Sequence, residues 1–196
     1  MWKKKILTEF YLNTTHFKFW QMNIIKFKGP NLFIVNQIQY LFDQYQFELN
    51  SLNTVFFEYD VVEKNNMLLI KSEIYKSIHS CPVNFKNIFI DIHNHLNTFK
   101  FEIFKVHYYP FSSYLEIGEK NIKLNYIHNI ILAILVFNKD GFKKENLYKK
   151  IWPKDYDISI NKLDTHLTNL KELFRSNFNS EIEFKSHKGL IKLIIN

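Results

Sequence analysis

The chain has 196 residues, enough for a buried core in one large domain or two small ones without disulfide or metal support. Apolar residues make up 46%, including 20 Phe and 11 Tyr, which excludes a disordered chain, and the single cysteine, Cys81, excludes a disulfide scaffold or a thiolate zinc site and fits a reducing compartment. Lys and Arg total 26 against 19 Asp and Glu, so the formal charge of +7 points towards a polyanion, discounted because a Lys-, Asn-, Ile- and Phe-rich composition also fits an A/T-rich genome.

Met1-Trp2-Lys3-Lys4-Lys5 resembles a charged leader, but the residues through Lys18 are too polar for a signal-peptide core. The longest apolar run, Ile130 to Phe137, falls short of the roughly 20 residues a membrane span needs. A soluble cytoplasmic protein without a membrane partner is expected. Lys28-Gly29-Pro30-Asn31 is the first break, and Asn31 to Val35 behind it reads as a buried strand. Gln37 to Phe47 has a helical period through Ile38, Leu41, Phe42 and Tyr45. Thr54–Tyr59 and Met67–Ile70 read as strands, Ser72–Ser80 as a weak helix ending near Pro82, and Asn87–Ile92 as another strand. Residues 1–100 are therefore expected to form a small α/β domain.

Phe101 to His107 and Ser113 to Leu124 read as strands, the second broken by a turn at Gly118-Glu119. Asn125 is placed to cap a buried helix over Tyr126–Phe137, closed by a turn at Asn138-Lys139-Asp140-Gly141. Lys143–Trp152 is a second helix, stopped by Pro153. Ser159 is placed to cap a third, Ile160–Arg175, with Leu163, Leu167, Leu170 and Phe174 on one stripe. Two strands, Glu181–Ser186 and Leu190–Ile195, close the chain around His187-Lys188-Gly189. Residues 119–196 hold 14 basic and 9 acidic residues, +5, so most of the charge excess lies beside these elements.

Strands, three helices and a hairpin describe a winged helix, and several motifs are similar to one family. Glu145 to Trp152 resembles the second helix of the OmpR/PhoB-type effector domain. Asn161-Lys162-Leu163-Asp164-Thr165-His166-Leu167 through Lys171 resembles its recognition helix, and Ile182 to Leu190 its wing. The resemblance covers residues 101–196. It implies an α+β fold, with a small N-terminal sheet, three helices and a β-hairpin wing, preceded by the α/β domain. It further implies a bacterial-type transcription regulator that binds double-stranded DNA, forms a homodimer on tandem half-sites, and contacts RNA polymerase through Pro153-Lys154-Asp155-Tyr156-Asp157.

The residues support that reading independently. With the apolar stripe inward, about 100° per residue places Asn161, Thr165, Thr168 and Glu172 on the opposite face. Lys162 and Asn169 flank it on one side, Lys171 and Arg175 on the other. Asn pairs with adenine and the Thr methyl meets the thymine methyl in a major groove, while Lys supplies point charges for phosphates. Lys185, His187 and Lys188 at the hairpin tip are placed for a neighbouring groove or backbone. The family's arginines are replaced by Asn161 in the helix and Ser186 in the wing, which favours A/T-rich sites or, as an alternative, a protein-interaction module that has lost DNA binding.

The segment Asn87 to Ile92 superficially resembles the phosphoacceptor strand of a receiver domain, ending at Asp91. No acidic pair follows Val35, and too few residues separate Asp91 from Phe101, so a working phosphorylation switch is not expected. Asp91, His93 and His95 have the spacing of a metal site on a strand, and scattered loop residues explain them equally well. With four glycines and no phosphate-binding loop, nucleophile elbow or dinucleotide motif, no cofactor, metal or enzymatic activity is expected.

Overall fold

The computed structural model describes residues 25–44, 57–155 and 160–194. The fold is mixed α+β. It opens with β1 (Ile25–Lys28), α1 (Leu32–Gln44), β2 (Phe57–Lys64), β3 (Met67–Lys71), β4 (Lys76–Ser80) and α2 (Phe85–Thr98). The four strands form one sheet in the order β1-β2-β3-β4, in which β1 runs parallel to β2 and the others are antiparallel. One sheet face buries Phe27, Tyr59, Val61, Leu68 and Ile70 in a core shared with Val35, Ile38 and Phe42 of α1 and Ile88, Ile92 and Leu96 of α2. Gly29 permits the entry to α1: a β-carbon there would lie 2.1 Å from the carbonyl oxygen of Val61.

Three elements in this region differ from expectation. Asn31–Val35 enters helix α1 and is not a strand. Asn31 caps it through Oδ1, which accepts from the Ile34 N–H at 3.3 Å, and the buried positions Val35, Ile38 and Phe42 follow helical spacing. Ser72–Ser80 is not helical: residues 76–80 pair with β3, with Ser77 and His79 facing inward in alternation. Asn87–Ile92 belongs to α2, whose buried stripe Ile88, Ile92, Leu96 has a spacing of four and runs beyond the apolar run that suggested a strand. Asn84 caps that helix, accepting from the Lys86 N–H at 3.1 Å. The Thr54–Phe56 part of the expected strand, the last residues of the Gln37–Phe47 helix, and Ser159 and Ile195 lie outside the described residues.

A second sheet, in the order β5-β6-β7-β8, comprises β5 (Phe101–Ile103), β6 (Val106–Tyr109), β7 (Tyr114–Ile117) and β8 (Lys120–Lys123). The expected single strand over residues 101–107 is thus a hairpin, turned at Phe104, where φ is +55°. Next come α3 (Tyr126–Phe137), β9 (Phe142–Lys143), α4 (Lys144–Ile151), α5 (Ile160–Phe178), β10 (Glu183–His187) and β11 (Leu190–Ile194). Helix α3 is buried from His128 to Val136, as an apolar surround demands, and Asn125 caps it through the His128 N–H at 2.9 Å. Asn129 sits wholly inside. Its Oδ1 accepts from the Tyr108 hydroxyl at 2.7 Å, and its amide donates to the Pro110 carbonyl at 3.1 Å and Ser113 Oγ at 2.9 Å, tying α3 to the second sheet. The short strand β9, absent from the expected elements, pairs with β11 and makes a third sheet in the order β10-β11-β9.

Five phenylalanines link these parts. Phe57 of β2 lies 5.0 Å from Phe99, 5.6 Å from Phe111 and 5.9 Å from Phe137 at the end of α3, between ring centroids. Phe101 closes the group at 4.9 Å from Phe137 and 5.0 Å from Phe99. The buried side chains accordingly form one contiguous core across residues 25–193. Replacing Phe57 by Ala leaves a cavity among four rings and is expected to destabilise the fold by about 3–5 kcal/mol. Urea unfolding checks this, and a midpoint shift of a few tenths of a kcal/mol would contradict it.

Candidate nucleic-acid interface

Helix α5 is held from three directions. Near its N-terminus, Lys162 Nζ donates to Asp155 Oδ2 at 2.9 Å and lies 4.3 Å above the Trp152 ring, while Asp155 also accepts from the Tyr148 hydroxyl at 2.9 Å. Two residues later Asp164 accepts from Lys144 Nζ at 2.8 Å. At the C-terminus Lys120 of β8 donates to the Asn177 carbonyl at 2.6 Å, a cation at the negative end of the helix. Inward, Leu163, Leu167, Leu170, Phe174 and Phe178 are buried.

Outward, Asn161, Thr165, Thr168, Asn169, Lys171, Glu172 and Arg175 are exposed. Thr165 Oγ1 donates to the Asn161 carbonyl at 2.9 Å and Thr168 Oγ1 to the Asp164 carbonyl at 3.0 Å, so both hydroxyls bond back into the helix. The side-chain amides of Asn161 and Asn169 have no hydrogen bond among the described residues. Arg175 donates to Glu172 at 2.6 Å, which cancels the acidic charge together with the chain's single guanidinium. Lys162 is likewise committed to Asp155. The helix therefore presents a nearly neutral, polar face, with Lys171 at its edge 5.9 Å from the Phe184 ring of β10.

The hairpin carries the positive charge. Its tip, residues 185 to 190, is exposed, and Lys188 takes a φ of +48° in the two-residue turn with Gly189. The register sets Lys185 opposite Lys192 and His187 opposite Leu190 on one face. Lys192 was not among the expected contact residues. The tight turn at Lys188-Gly189 carries the signal, because a two-residue loop fixes Lys192 as the cross-strand partner of Lys185. Lys185 also lies 3.6 Å from Glu183, an exposed pair of little energetic weight.

Behind the helix, His128 of α3 and His166 of α5 meet edge to face with ring centroids 5.6 Å apart, and His166 lies 5.6 Å from Trp152. His128 Nε2 and His166 Nδ1 are buried without hydrogen-bond partners among the described residues. Burial lowers the pKa of both, with His166 acting further on His128 and the Lys162 charge on His166.

The Asp91, His93, His95 group does not converge. On a helix, residues two apart point to different sides, so the strand-face argument fails. Asp91 approaches His79 at 3.9 Å, His93 stacks on Phe89, and His95 packs on Tyr75 with ring centroids 4.6 Å apart. Among the described residues no three His, Cys, Asp or Glu gather as a metal site. Asp91 is also mid-helix, not at the end of a strand as a phosphoacceptor would be. No helix among the described residues is long and apolar enough to cross a membrane.

No family model matches the chain, and no curated protein matches it. Among solved structures, the DNA-binding domain of E. coli CadC is similar at 11% identity with a TM-score of 0.41, over 48% of this chain and 91% of that one.

Buried His128 and half-buried His166 set a pH dependence. Their folded pKa values lie below the ordinary value near 6.5, so the unfolded chain takes up protons that the folded chain refuses. The stability they support is full above that value and is lost as pH falls through the folded values. Urea midpoints measured between neutral and mildly acidic pH are expected to fall, and less steeply in His128→Gln. A midpoint that holds or rises on acidification would contradict this.

Proposed function

We propose that the chain is a DNA-binding transcriptional regulator of bacterial type. In this reading residues 101–196 form a winged helix of the OmpR/PhoB type, and residues 1–100 form an α/β domain without a working phosphoacceptor. The protein acts in the cytoplasm, is not an enzyme and needs no cofactor. Helix α5 enters the major groove of duplex DNA, and the β10–β11 hairpin reaches the adjacent backbone or minor groove. Polymerase contact through Pro153–Asp157 belongs to the same reading, and Pro153, Lys154 and Asp155 are exposed.

The observation that carries it is a division of labour between the two elements. The helix offers uncharged hydrogen-bonding groups at Asn161 and Asn169 and methyls at Thr165 and Thr168. The hairpin offers Lys185, Lys188 and Lys192. Base edges are read by the first kind of group and phosphates by the second. The lack of an available Arg on α5 argues for A/T-rich sites, since bidentate guanine recognition is the arginine contribution.

A second reading, a protein-interaction module, is favoured by the pairing of Arg175 with Glu172 and Lys162 with Asp155, which leaves little charge on the helix itself. Fluorescence anisotropy on A/T-rich duplexes across a salt series separates the two. For a DNA binder, affinity falls steeply as salt rises. Lys185→Ala with Lys188→Ala is expected to weaken binding on all sequences and reduce the salt slope by about 2. Asn161→Ala is expected to change base preference at one position by about 1–3 kcal/mol. Absence of salt-dependent binding, with recovery of a nuclease-insensitive protein partner, would decide for the second reading.

A further inference from the structure

The solvent-facing side of the first sheet is divided. Over β1 and β2 it is a lattice of opposite charges: Lys28 lies 3.1 Å from Glu58 and 3.6 Å from Asp60, and Lys26 lies 4.0 Å from Glu58. Towards β4 an apolar row crosses it between flanking rows that carry Lys71 and Lys76 on one side and Lys64 and Ser80 on the other. The strand register places Val62, Leu69 and Ile78 in one row across β2, β3 and β4, with Met67 in the next row. Ile78 is 58% exposed and Met67 50%, and Ile74, in the turn that leads into β4, is 49% exposed.

The two sheet edges are equally unlike. The β1 edge carries paired lysines and runs into Gly29-Pro30, features that discourage further strand pairing. The β4 edge pairs with β3 alone among the described residues and has an exposed isoleucine at its centre and one charge, Lys76. An unprotected edge with an apolar middle accepts another strand.

We infer that β4 is a self-association edge, on which the β4 strand of a second copy pairs antiparallel about Ile78. The chemistry of the strand selects this partner and this register. Centred on Ile78, the pairing sets Ile78 against Ile78 and Lys76 against the uncharged Ser80 of the other copy. A two-residue slip one way sets Ile78 against Lys76, and a two-residue slip the other way sets Lys76 against Pro82, which cannot donate to a ladder. A one-residue slip turns the open face of one sheet to the helix-covered side of the other. The centred register alone continues the Val62, Leu69, Ile78 row through both copies, and as an antiparallel pairing of identical strands it closes on a two-fold axis.

Sedimentation of the full chain over a wide concentration range tests this. The wild type is expected to pass from monomer to dimer, while Ile78→Lys, an exposed change that leaves the circular dichroism spectrum intact, stays monomeric. In a Cys81→Ser background, Ile78→Cys is expected to form a covalent dimer under mild oxidation, because directly opposed side chains lie within disulfide reach. Glu58→Cys, on the same face towards β1, is expected to remain uncrosslinked. A wild type that is monomeric throughout, a dimer that survives Ile78→Lys, species that grow beyond the dimer, or equal crosslinking at both cysteines would each overturn the inference.

Discussion

The packing of five phenylalanine rings, from Phe57, Phe99, Phe101, Phe111 and Phe137, is the constraint on which the other contacts depend. Phe57 belongs to the first sheet, Phe99 to the passage between the halves, Phe101 to β5 of the second sheet, Phe111 to the turn between β6 and β7, and Phe137 to the end of α3. Several pairs meet edge to face, the geometry that aromatic quadrupoles favour. Because α3 forms the floor on which α4, α5 and the hairpin rest, its alignment is inherited from this cluster at one end and from the Asn129 network nearer the other.

From that floor outward, polar contacts take over from packing. Helix α5 buries an apolar stripe, but its position along its own axis is fixed by Lys162, Asp164 and the Asn177 carbonyl. These bonds use the helix's ionic groups for positioning, which explains why its outer face is almost neutral. The positive potential is displaced to the hairpin, where Lys185 and Lys192 face each other and Lys188 occupies the turn. Two opposed lysines gain nothing from each other in isolation.

How far the sequence could be read follows from where the governing contacts lie. In residues 126–194 the helices and hairpin were legible because each carries a strong local signal: the all-apolar α3, the cap at Asn125, the stripe from Leu163 to Phe174 and the turn at Lys188-Gly189. Strand β9 was not, since two residues offer no period, and its existence depends on Gly141, whose φ of +104° turns the chain back towards Ile191. Earlier in the chain, Ile88-Phe89-Ile90 has strand composition locally, while the stripe that makes it helical continues to Leu96. At the candidate interface, exposure of Asn161, Thr165, Thr168 and Asn169 followed from helical spacing. The ion pair of Lys162 did not, because its partner Asp155 lies outside the helix, seven residues away, where helical spacing predicts nothing.

Lys144 joins the hairpin to the helix within a single residue. Its backbone N–H donates to the Gly189 carbonyl in the hairpin turn at 2.9 Å, while its side chain holds Asp164. Turn and helix thus behave as two jaws of a fixed-gauge caliper, whose opening is set by one lysine's length. Any surface gripped by both must match that gauge, so the pair measures the distance between two features of a partner as well as their chemistry.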